Sequence, residues 1–288
     1  MSLRTPCCLL SLFLASCLAA RPLVAGEGGG VTTANPTAGP DSSAESYVYL
    51  PPAWADRVVF YHSFEAGFDQ PEINRLGAKL RPSGSTRPDG FAGRGCPLPL
   101  GPKHDAALEI SSPGLSLHRP LTLMCWFRLD APMTETTGFH LLSLRGDGPY
   151  VTHFVAGKGP WCALKEPTFV YQVVAFPGIL LYHNSWGGRA MIEPGTWHHV
   201  ALTVANASEV RVYRDGTLQE TVLPKGRPFR ENEVHTATIG SRGHPMTVDE
   251  LLVLDRALTP DELAEYVTAA RSLRGHGFPV GPRRGKPD

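Results

Sequence analysis

Acidic side chains two residues apart on a strand would be the most direct sign of catalysis in this chain. Alternate positions of a strand share one face, so such carboxylates could lie about 5 Å apart and flank a glycosidic bond. The closest acidic residues are Glu231-Asn232-Glu233, in a turn-like stretch, and Asp249-Glu250. Adjacent strand residues point to opposite faces, so Asp249 and Glu250 should not share a cleft. We therefore expect a protein without catalytic activity.

Asp249 places a charged group in an apolar stretch. If the strand alternates regularly, Asp249 shares a face with Leu251 and Val253, which the pattern turns toward the core. A carboxylate that enters a core needs backbone N–H donors, an arginine or a hard cation such as Ca²⁺ as its partner. Glu65 and Asp69 would be the further ligands of a calcium site. Structural hydrogen bonding and calcium binding both stay open, and the small number of carboxylates favours the first.

Histidine and serine patterns do not indicate a zinc or hydrolase centre. The eleven histidines are scattered, and the adjacent His198 and His199 should project to opposite sides of a strand. They cannot bind one metal ion together, so we interpret them as half-buried strand residues with hydrogen-bond partners. No serine lies in a Gly-x-Ser-x-Gly motif, so a nucleophile elbow is not predicted either.

Three cysteines, Cys96, Cys125 and Cys162, follow the N-terminal segment. An odd number allows at most one disulfide within this part of the chain. Cys125 lies on the apolar face of a predicted strand, which indicates a buried free thiol. Cys96 and Cys162 are then the leading candidates for a disulfide.

Four aromatic residues could form a surface on which a sugar ring stacks. They are Trp161, Tyr171, Tyr182 and Trp186. An aromatic face offers apolar area to the C–H face of a sugar, so these residues are the predicted ligand-binding candidates. Packing inside a large β core is the alternative for each of them, and exposure to solvent distinguishes the two.

The first twenty residues have the layout of an export signal, because an apolar run at 7–15 follows a basic residue and is too short to span a bilayer. Two processing routes stay open. One is ordinary cleavage near Ala20 or Ala25. The other is a lipobox, Leu14-Ala15-Ser16-Cys17, which would make Cys17 the lipidated first residue and anchor the chain in a membrane. We expect a protein outside the cytoplasm, either secreted or lipid-anchored to the cell envelope.

Composition limits both the domain count and the partners. Residues 21–46 are rich in Gly, Ala, Thr, Pro and Ser, which predicts a flexible linker, and residues 276–288 are a predicted disordered tail. The interval 47–275 leaves roughly 225 to 230 residues, a size at which β-sandwiches remain one domain. Lys+Arg and Asp+Glu both number 27, so no basic excess is present to attract nucleic acid.

Hydrophobic periodicity predicts the strands that must position these residues. Val200, Leu202 and Val204 alternate with other residues as in a strand, a second strand follows at 210–214, and Asp215-Gly216 predicts a tight hairpin turn into a third. Further strands are predicted at 58–64, 107–110, 121–129, 141–144, 151–155, 169–176, 179–183 and 248–254.

Two short motifs mark the boundaries of these elements. Thr259-Pro260-Asp261-Glu262 has the N-cap, the proline and the third-position glutamate of a helix start, so a short helix should follow the last strand and pack on the sheets. Asn206-Ala207-Ser208, between two strands, fits the N-glycosylation sequon, which matters in a eukaryotic secreted protein.

Several motifs follow one another in a fixed order along the chain. They are FYHSF at 60–64, GFAG at 90–93, LTLMCWFR at 121–128, WHHVALT at 197–203, VRVYRDG at 210–216, IG at 239–240 and VDELLVLDRALTPDEL at 248–263. In this order they resemble the laminin-G-like, concanavalin A-like jelly-roll domains of secreted proteins. The resemblance covers about residues 55 to 270.

The resemblance implies an all-β fold, a jelly-roll sandwich of two antiparallel sheets with one short C-terminal helix. Most of the family are binding and adhesion modules, so it implies a non-catalytic module that binds a glycan or a protein at the cell envelope. Glycoside hydrolases of this architecture carry an E-x-D-x-E triplet, which is absent, so such an enzyme is the alternative and a scaffold without a small ligand is the third hypothesis. The family's Asp-x-Ser-Gly element is also missing, with Phe68-Asp69-Gln70-Pro71 in its neighbourhood, which weakens a metal role there.

Overall fold

The structure is a computed structural model of the 288-residue chain. It describes residues 50–81, 86–98, 108–116, 118–132, 138–146, 150–156, 168–174, 183–187, 192–206, 209–222, 234–241 and 244–274. All of them belong to one compact unit, Glu45–Asp288.

Fifteen strands and one α-helix form the described part of the chain, after a single 3-10 turn at Pro52–Trp54. The strands are β1 (Val58–His62), β2 (Ile73–Asn74), β3 (Lys79–Arg81), β4 (Cys96–Leu98), β5 (Leu108–Ser111), β6 (Leu121–Leu129), β7 (Gly138–Gly146), β8 (Tyr150–Ala156), β9 (Thr168–Val174), β10 (His183–Gly187), β11 (Trp197–Asn206), β12 (Glu209–Arg214), β13 (Thr217–Val222), β14 (Val234–Ser241) and β15 (Met246–Leu254). The helix α1 is Pro260–Arg274.

The strands form two antiparallel sheets, which confirms the predicted sandwich. Sheet A has eight strands in the order β13-β12-β11-β6-β15-β1-β2, and β4 pairs in addition with β15. Sheet B has seven strands in the order β10-β9-β8-β7-β14-β5-β3. The predicted three-strand meander is present as β11, β12 and β13, and Asp215 and Gly216 at its turn both have positive φ, +51° and +79°.

The main hydrophobic core fills the space between the sheets. Sheet A contributes Phe127 and Val253, among others, and sheet B contributes Leu144 and Ile239. These four side chains have no exposed surface. Burial of each one stabilises the fold by about 1.5–3 kcal/mol, so the alternating apolar residues of both sheets hold the sandwich together.

Helix α1 covers the outer face of sheet A and gives this side a second apolar layer. Leu263, Tyr266 and Val267 of the helix pack in one cluster with Trp126 and Leu252 of the sheet. The predicted helix start is confirmed, because Thr259 and Glu262 exchange hydrogen bonds between their side chains and each other's backbone N–H groups. Among the described residues, no helix combines the length and apolar character needed to cross a membrane.

Several predicted strand boundaries differ from the observed ones, as in β7, which spans Gly138–Gly146 where 141–144 was predicted. β1 ends at His62, two residues earlier than predicted, because Phe64 has a φ of +64° that a strand cannot continue. β10 begins at His183, where the predicted strand 179–183 ends, and residues 179–182 lie outside the described residues.

The turn between β12 and β13 supports the helix directly. A Cβ placed on Gly216 would lie 3.0 Å from the Cα of Ala264 and 3.3 Å from the Cβ of Val267. The adjacent Asp215 accepts a hydrogen bond from the guanidinium of Arg271 at 2.7 Å. The hairpin turn and α1 therefore touch at backbone distance, which glycine alone permits.

Gly216→Ala should destabilise the protein more than the matched variant Gly195→Ala. Both glycines have similar φ, +79° and +81°, so each alanine costs about 1–2 kcal/mol of backbone strain. Only the methyl group at position 216 meets α1, whereas Gly195 has nothing within 4 Å of its added Cβ. In urea unfolding, Gly216→Ala should lower the free energy of unfolding by about 1–3 kcal/mol more than Gly195→Ala does. Equal losses would contradict the proposed support of the helix.

Candidate functional site

The strand that carries Asp249 contains one extra residue. Across the ladder between β15 and β6, Asp249 pairs with Trp126 and Leu252 pairs with Met124, so three steps along β15 match two along β6. This is a β-bulge, and Glu250 within it has a φ of +51°. The bulge shifts the alternation of side chains in the middle of sheet A.

The predicted placement of the two acidic residues was wrong because of this bulge. Asp249 lies on the face of its partner Trp126, in the layer covered by α1, whereas Leu251 and Val253 point into the core between the sheets. Glu250 contacts the same α1-side layer, so the adjacent carboxylates do not diverge to opposite faces. Both are buried, with 0% and 4% of their surface exposed.

Both carboxylate oxygens of Asp249 accept backbone hydrogen bonds. Oδ2 accepts the N–H of Ala92 at 3.0 Å, and Oδ1 accepts the N–H of Glu250 at 2.8 Å. Ala92 belongs to the Gly90–Gly95 turn, in which the N–H of Gly90 donates to the carbonyl of Gly93 at 2.8 Å. A Cβ on Gly90 would lie 2.7 Å from Oδ2, so the turn reaches the carboxylate only because this residue is glycine.

Glu65 holds the other side of the same turn. Its Oε1 accepts the backbone N–H of Arg94, and a Cβ on Gly93 would lie 2.9 Å from its Cδ. The charge of Glu65 also acts on Asp249 and raises its pKa. The Gly90–Gly95 turn thus lies between the carboxylates of Asp249 and Glu65, which accept hydrogen bonds from its backbone N–H groups.

Glu250 binds the hydroxyl group of Tyr61. The Tyr61 hydroxyl donates to Oε2 at 2.6 Å, and the second oxygen, Oε1, is buried without a hydrogen-bond partner among the described residues. Burial raises the pKa of Asp249 well above its usual range, and burial together with the charge of Asp249 does the same to the pKa of Glu250. Burial also raises the pKa of Tyr61. The carboxyl groups of Asp249 and Glu250 therefore favour the protonated state in the folded protein.

The contacts of these carboxylates favour the hydrogen-bonding alternative over a calcium site. Calcium takes about six to eight oxygen ligands. Asp249 and Glu65 already accept hydrogen bonds from backbone N–H groups of one turn. Asp69, the third predicted ligand, is exposed. Burial lowers the pKa of His62, and the negative charge of Asp69 partly opposes this. In the described part of the chain, no three His, Cys, Asp or Glu side chains are grouped to hold a metal ion. Calcium binding stays an untested prediction.

Cys96 and Cys125 are both buried free thiols among the described residues, as expected for Cys125. The predicted pairing of Cys96 with Cys162 stays a prediction. Burial raises the pKa of Cys96 to about 12, so its thiolate is disfavoured. The predicted partner, Cys162, lies outside the described residues, and so do Cys17, Trp161 and Tyr182.

A link between β11 and α1 was not foreseen from the sequence. The ring Nδ1 of His198 lies 2.9 Å from Oδ2 of Asp215, and Oδ1 of Asp215 accepts the N–H of His199 at 3.0 Å in addition to the guanidinium of Arg271. Burial opposes ionisation of Asp215, but these hydrogen bonds lower its pKa. His198 packs near Phe127 on the core side, and His199 packs against Tyr266 of the helix, so the two histidines do project to opposite sides.

The outer face of sheet B carries a continuous row of polar residues. Paired positions on all seven strands form this row. From β3 to β10 it runs through Arg81, Glu109, Thr238, Ser143, Thr152, Gln172 and Asn184. The neighbours Ala237 and Ile239 of Thr238 lie in the core, so the row belongs to the face away from it. At about 4.8 Å between strands, the row spans about 29 Å.

Two of the predicted ligand-binding aromatic residues belong to strands of sheet B. Tyr171 lies in β9, where it pairs with Ser185 of β10, and Trp186 lies in β10, where it pairs with Val170 of β9. Their side chains lie outside the described part of the structure, so their role in ligand binding stays a prediction.

Comparison with known proteins agrees with this architecture. The family model of the concanavalin A-like lectin/glucanases superfamily matches residues 102–264, more than half of the chain. The chain belongs to this superfamily. The human adhesion G-protein coupled receptor D1 is 37% identical to it over 98 residues, which is 30% of this chain and 11% of the receptor.

Solved structures with a similar fold are distant from this chain in sequence. The binding domain of Paraclostridial Mosquitocidal Protein 1 matches with a TM-score of 0.56 and 14% identity, covering 74% of this chain and 52% of that one. The binding domain of botulinum neurotoxin serotype G matches with a TM-score of 0.55 and 9% identity, covering 75% and 51%. The chain thus spans about half the length of these domains, and at such identity the likeness establishes the fold alone.

The pH dependence of stability should depend on the buried pair in this superfamily member. The pKa of Glu250 is raised in the folded state, so its contribution is fully present below the unfolded value of about 4.3 and is lost as pH rises through the folded pKa. Glu250→Gln keeps an acceptor for Tyr61 but cannot ionise. As the pH rises from about 4, near the unfolded pKa, to about 8, the free energy of unfolding of this variant should fall less than that of the wild type.

Glu262→Gln is the matched control, because Glu262 is only partly buried and hydrogen bonds lower its pKa although burial opposes this. The Glu262→Gln variant should not reduce the decline of the free energy of unfolding with rising pH. Urea unfolding at each pH measures both variants against the wild type. Parallel pH profiles for the wild type and Glu250→Gln would contradict the assignment of a raised pKa to Glu250.

Calcium and chelator should give the same melting midpoint if Asp249 is held by hydrogen bonds alone. A native-state calcium site would instead stabilise the wild type by about 2.7 kcal/mol at 100 times its dissociation constant. Asp249→Ala should destabilise in either case, because it leaves the N–H of Ala92 without its acceptor. A calcium-dependent rise in midpoint that disappears in Asp249→Ala would establish the calcium site and refute the hydrogen-bonding alternative.

Proposed function

We propose that this protein is a non-catalytic binding module that acts outside the cytoplasm and binds a glycan or a protein at the cell envelope. The observation that carries the proposal is the polar row across the outer face of sheet B. The residue types at these paired positions carry hydroxyl and amide groups, which are donors and acceptors that a sugar chain or a polypeptide backbone can use. The names of two similar structures describe binding domains, which supports the same class of function.

The location outside the cytoplasm rests on the leader predicted at residues 1–20 and on the similarity to part of a human adhesion receptor. A lipid anchor on Cys17 is the alternative to ordinary cleavage of that leader. Either route would deliver the binding face to the outside of the cell.

A scaffold without a small ligand is the second candidate, and one observation favours it. Ser143 and Thr238, at the centre of the row, have only 1% and 4% of their surface exposed. Arg81, at the β3 end, is exposed. Access of a ligand to the centre of the row is therefore limited, whereas a scaffold would need no access at all.

Replacement of row residues should weaken binding without unfolding the protein. The chain is screened against a glycan array and against an extract of envelope proteins, and the captured ligand is then titrated against variants. Gln172→Ala and Asn184→Ala should each weaken binding about 2- to 13-fold, the effect of one lost hydrogen bond of about 0.5–1.5 kcal/mol. Gln219→Ala is the matched control, because Gln219 lies in the edge strand β13 of sheet A.

Capture of no glycan and no protein would support the scaffold. Equal weakening by Gln172→Ala and Gln219→Ala would contradict the location on sheet B. Release of sugar from a bound glycan would contradict the non-catalytic assignment.

A further inference from the structure

We propose that Asn206 is the attachment site of an N-linked glycan. Asn206-Ala207-Ser208 satisfies the acceptor rule Asn-x-Ser/Thr with a residue other than proline in the middle. Asn35-Pro36-Thr37 has the same outer residues, but its central proline excludes it. The chain therefore offers one acceptor asparagine and, within the same sequence, a natural negative control.

The fold presents Asn206 at a position where a bulky group can be attached. Asn206 is the last residue of β11 and is exposed, whereas Val204 two residues earlier is fully buried in the core. Across the hairpin Asn206 pairs with Glu209, so only two residues connect the paired positions. The acceptor thus lies at the exposed end of a hairpin, beyond the buried part of the strand.

The neighbouring strand on the other side leaves space as well. β6 begins at Leu121, and Leu121 pairs with Val204, so Asn206 extends two residues past the start of β6. Arg119 and Pro120, which lead into β6, are exposed. A glycan on Asn206 would extend from the end of sheet A without displacing a core residue or a strand of the ladder.

The modification is a group transfer from a polyprenyl diphosphate-linked oligosaccharide. The side-chain nitrogen Nδ2 of Asn206 forms a bond to the anomeric carbon of the first sugar, and the bond from that carbon to the diphosphate oxygen breaks. Nδ2 loses one proton, and the polyprenyl diphosphate leaves. The hydroxyl group at position 208 is required for acceptor recognition, so Ser208 can be replaced by threonine but not by alanine.

The test is translation of the full chain with endoplasmic reticulum microsomes, followed by protease protection and peptide N-glycosidase treatment. The protected wild-type chain should migrate faster by one step after treatment, and mass spectrometry should locate the glycan on the peptide that contains Asn206. Asn206→Gln and Ser208→Ala should remove the step, while Ser208→Thr and Asn35→Gln should keep it. Attachment occurs in the microsomes during translation, so the readout does not depend on whether a variant folds stably.

Two outcomes would overturn the proposal. One is a chain that stays outside the microsomes, because the leader would then not deliver Asn206 to the transferase. The other is a protected chain whose mobility is the same with and without the glycosidase. A mobility step that survives Asn206→Gln would place the glycan elsewhere and would overturn it equally.

Discussion

Two adjacent carboxylates buried in β15 are the constraint on which the surrounding structure depends. β15 pairs with β6, β1 and β4, so Asp249 and Glu250 lie deep within sheet A. A buried carboxylate without partners would cost several kcal/mol, of the order of one or more lost hydrogen bonds. The Gly90–Gly95 turn and the hydroxyl of Tyr61 supply these partners, and the turn can do so only with glycine at its close contacts. The bulge, the turn and β1 are therefore one interdependent unit.

The helix makes the two outer faces of the sandwich unequal. α1 lies over sheet A and is fixed there by the capping hydrogen bonds of Thr259 and by Arg271, which binds Asp215 at the hairpin turn. Aromatic residues of this face, Trp126 among them, are consequently core residues and not a ligand platform. Sheet B has its polar row on the corresponding face, so the outer sides of the two sheets differ in the residue types that they carry.

The sequence predicts the sandwich, the β11–β13 meander and the helix well, because each rests on local periodicity or on a capping motif. It fails at Asp249, since alternation assumes that every residue takes one step along the ladder and a bulge adds one. The available indication was the pair of acidic residues, Asp249-Glu250, inside an otherwise apolar strand. Contacts such as Asp249 to Ala92 join residues far apart in the chain, and no periodicity encodes them. A disulfide between Cys96 and Cys162 cannot be derived from the sequence for the same reason, because spacing along the chain does not give a distance.

Chemistry also limits what the face of sheet B can do. Hydrolysis of a glycosidic bond needs two carboxylates about 5–9.5 Å apart, one to protonate the leaving group and one to attack or to activate water. The row contains one carboxylate, Glu109, and this side chain faces the guanidinium of Arg81 at 3.5 Å and accepts a hydrogen bond from Ser111. The two buried carboxylates, Asp249 and Glu250, belong to the opposite sheet. Hydroxyl and amide groups can bind a ligand but do not act as the acid and base of this reaction, which is why a binding function is proposed for the row.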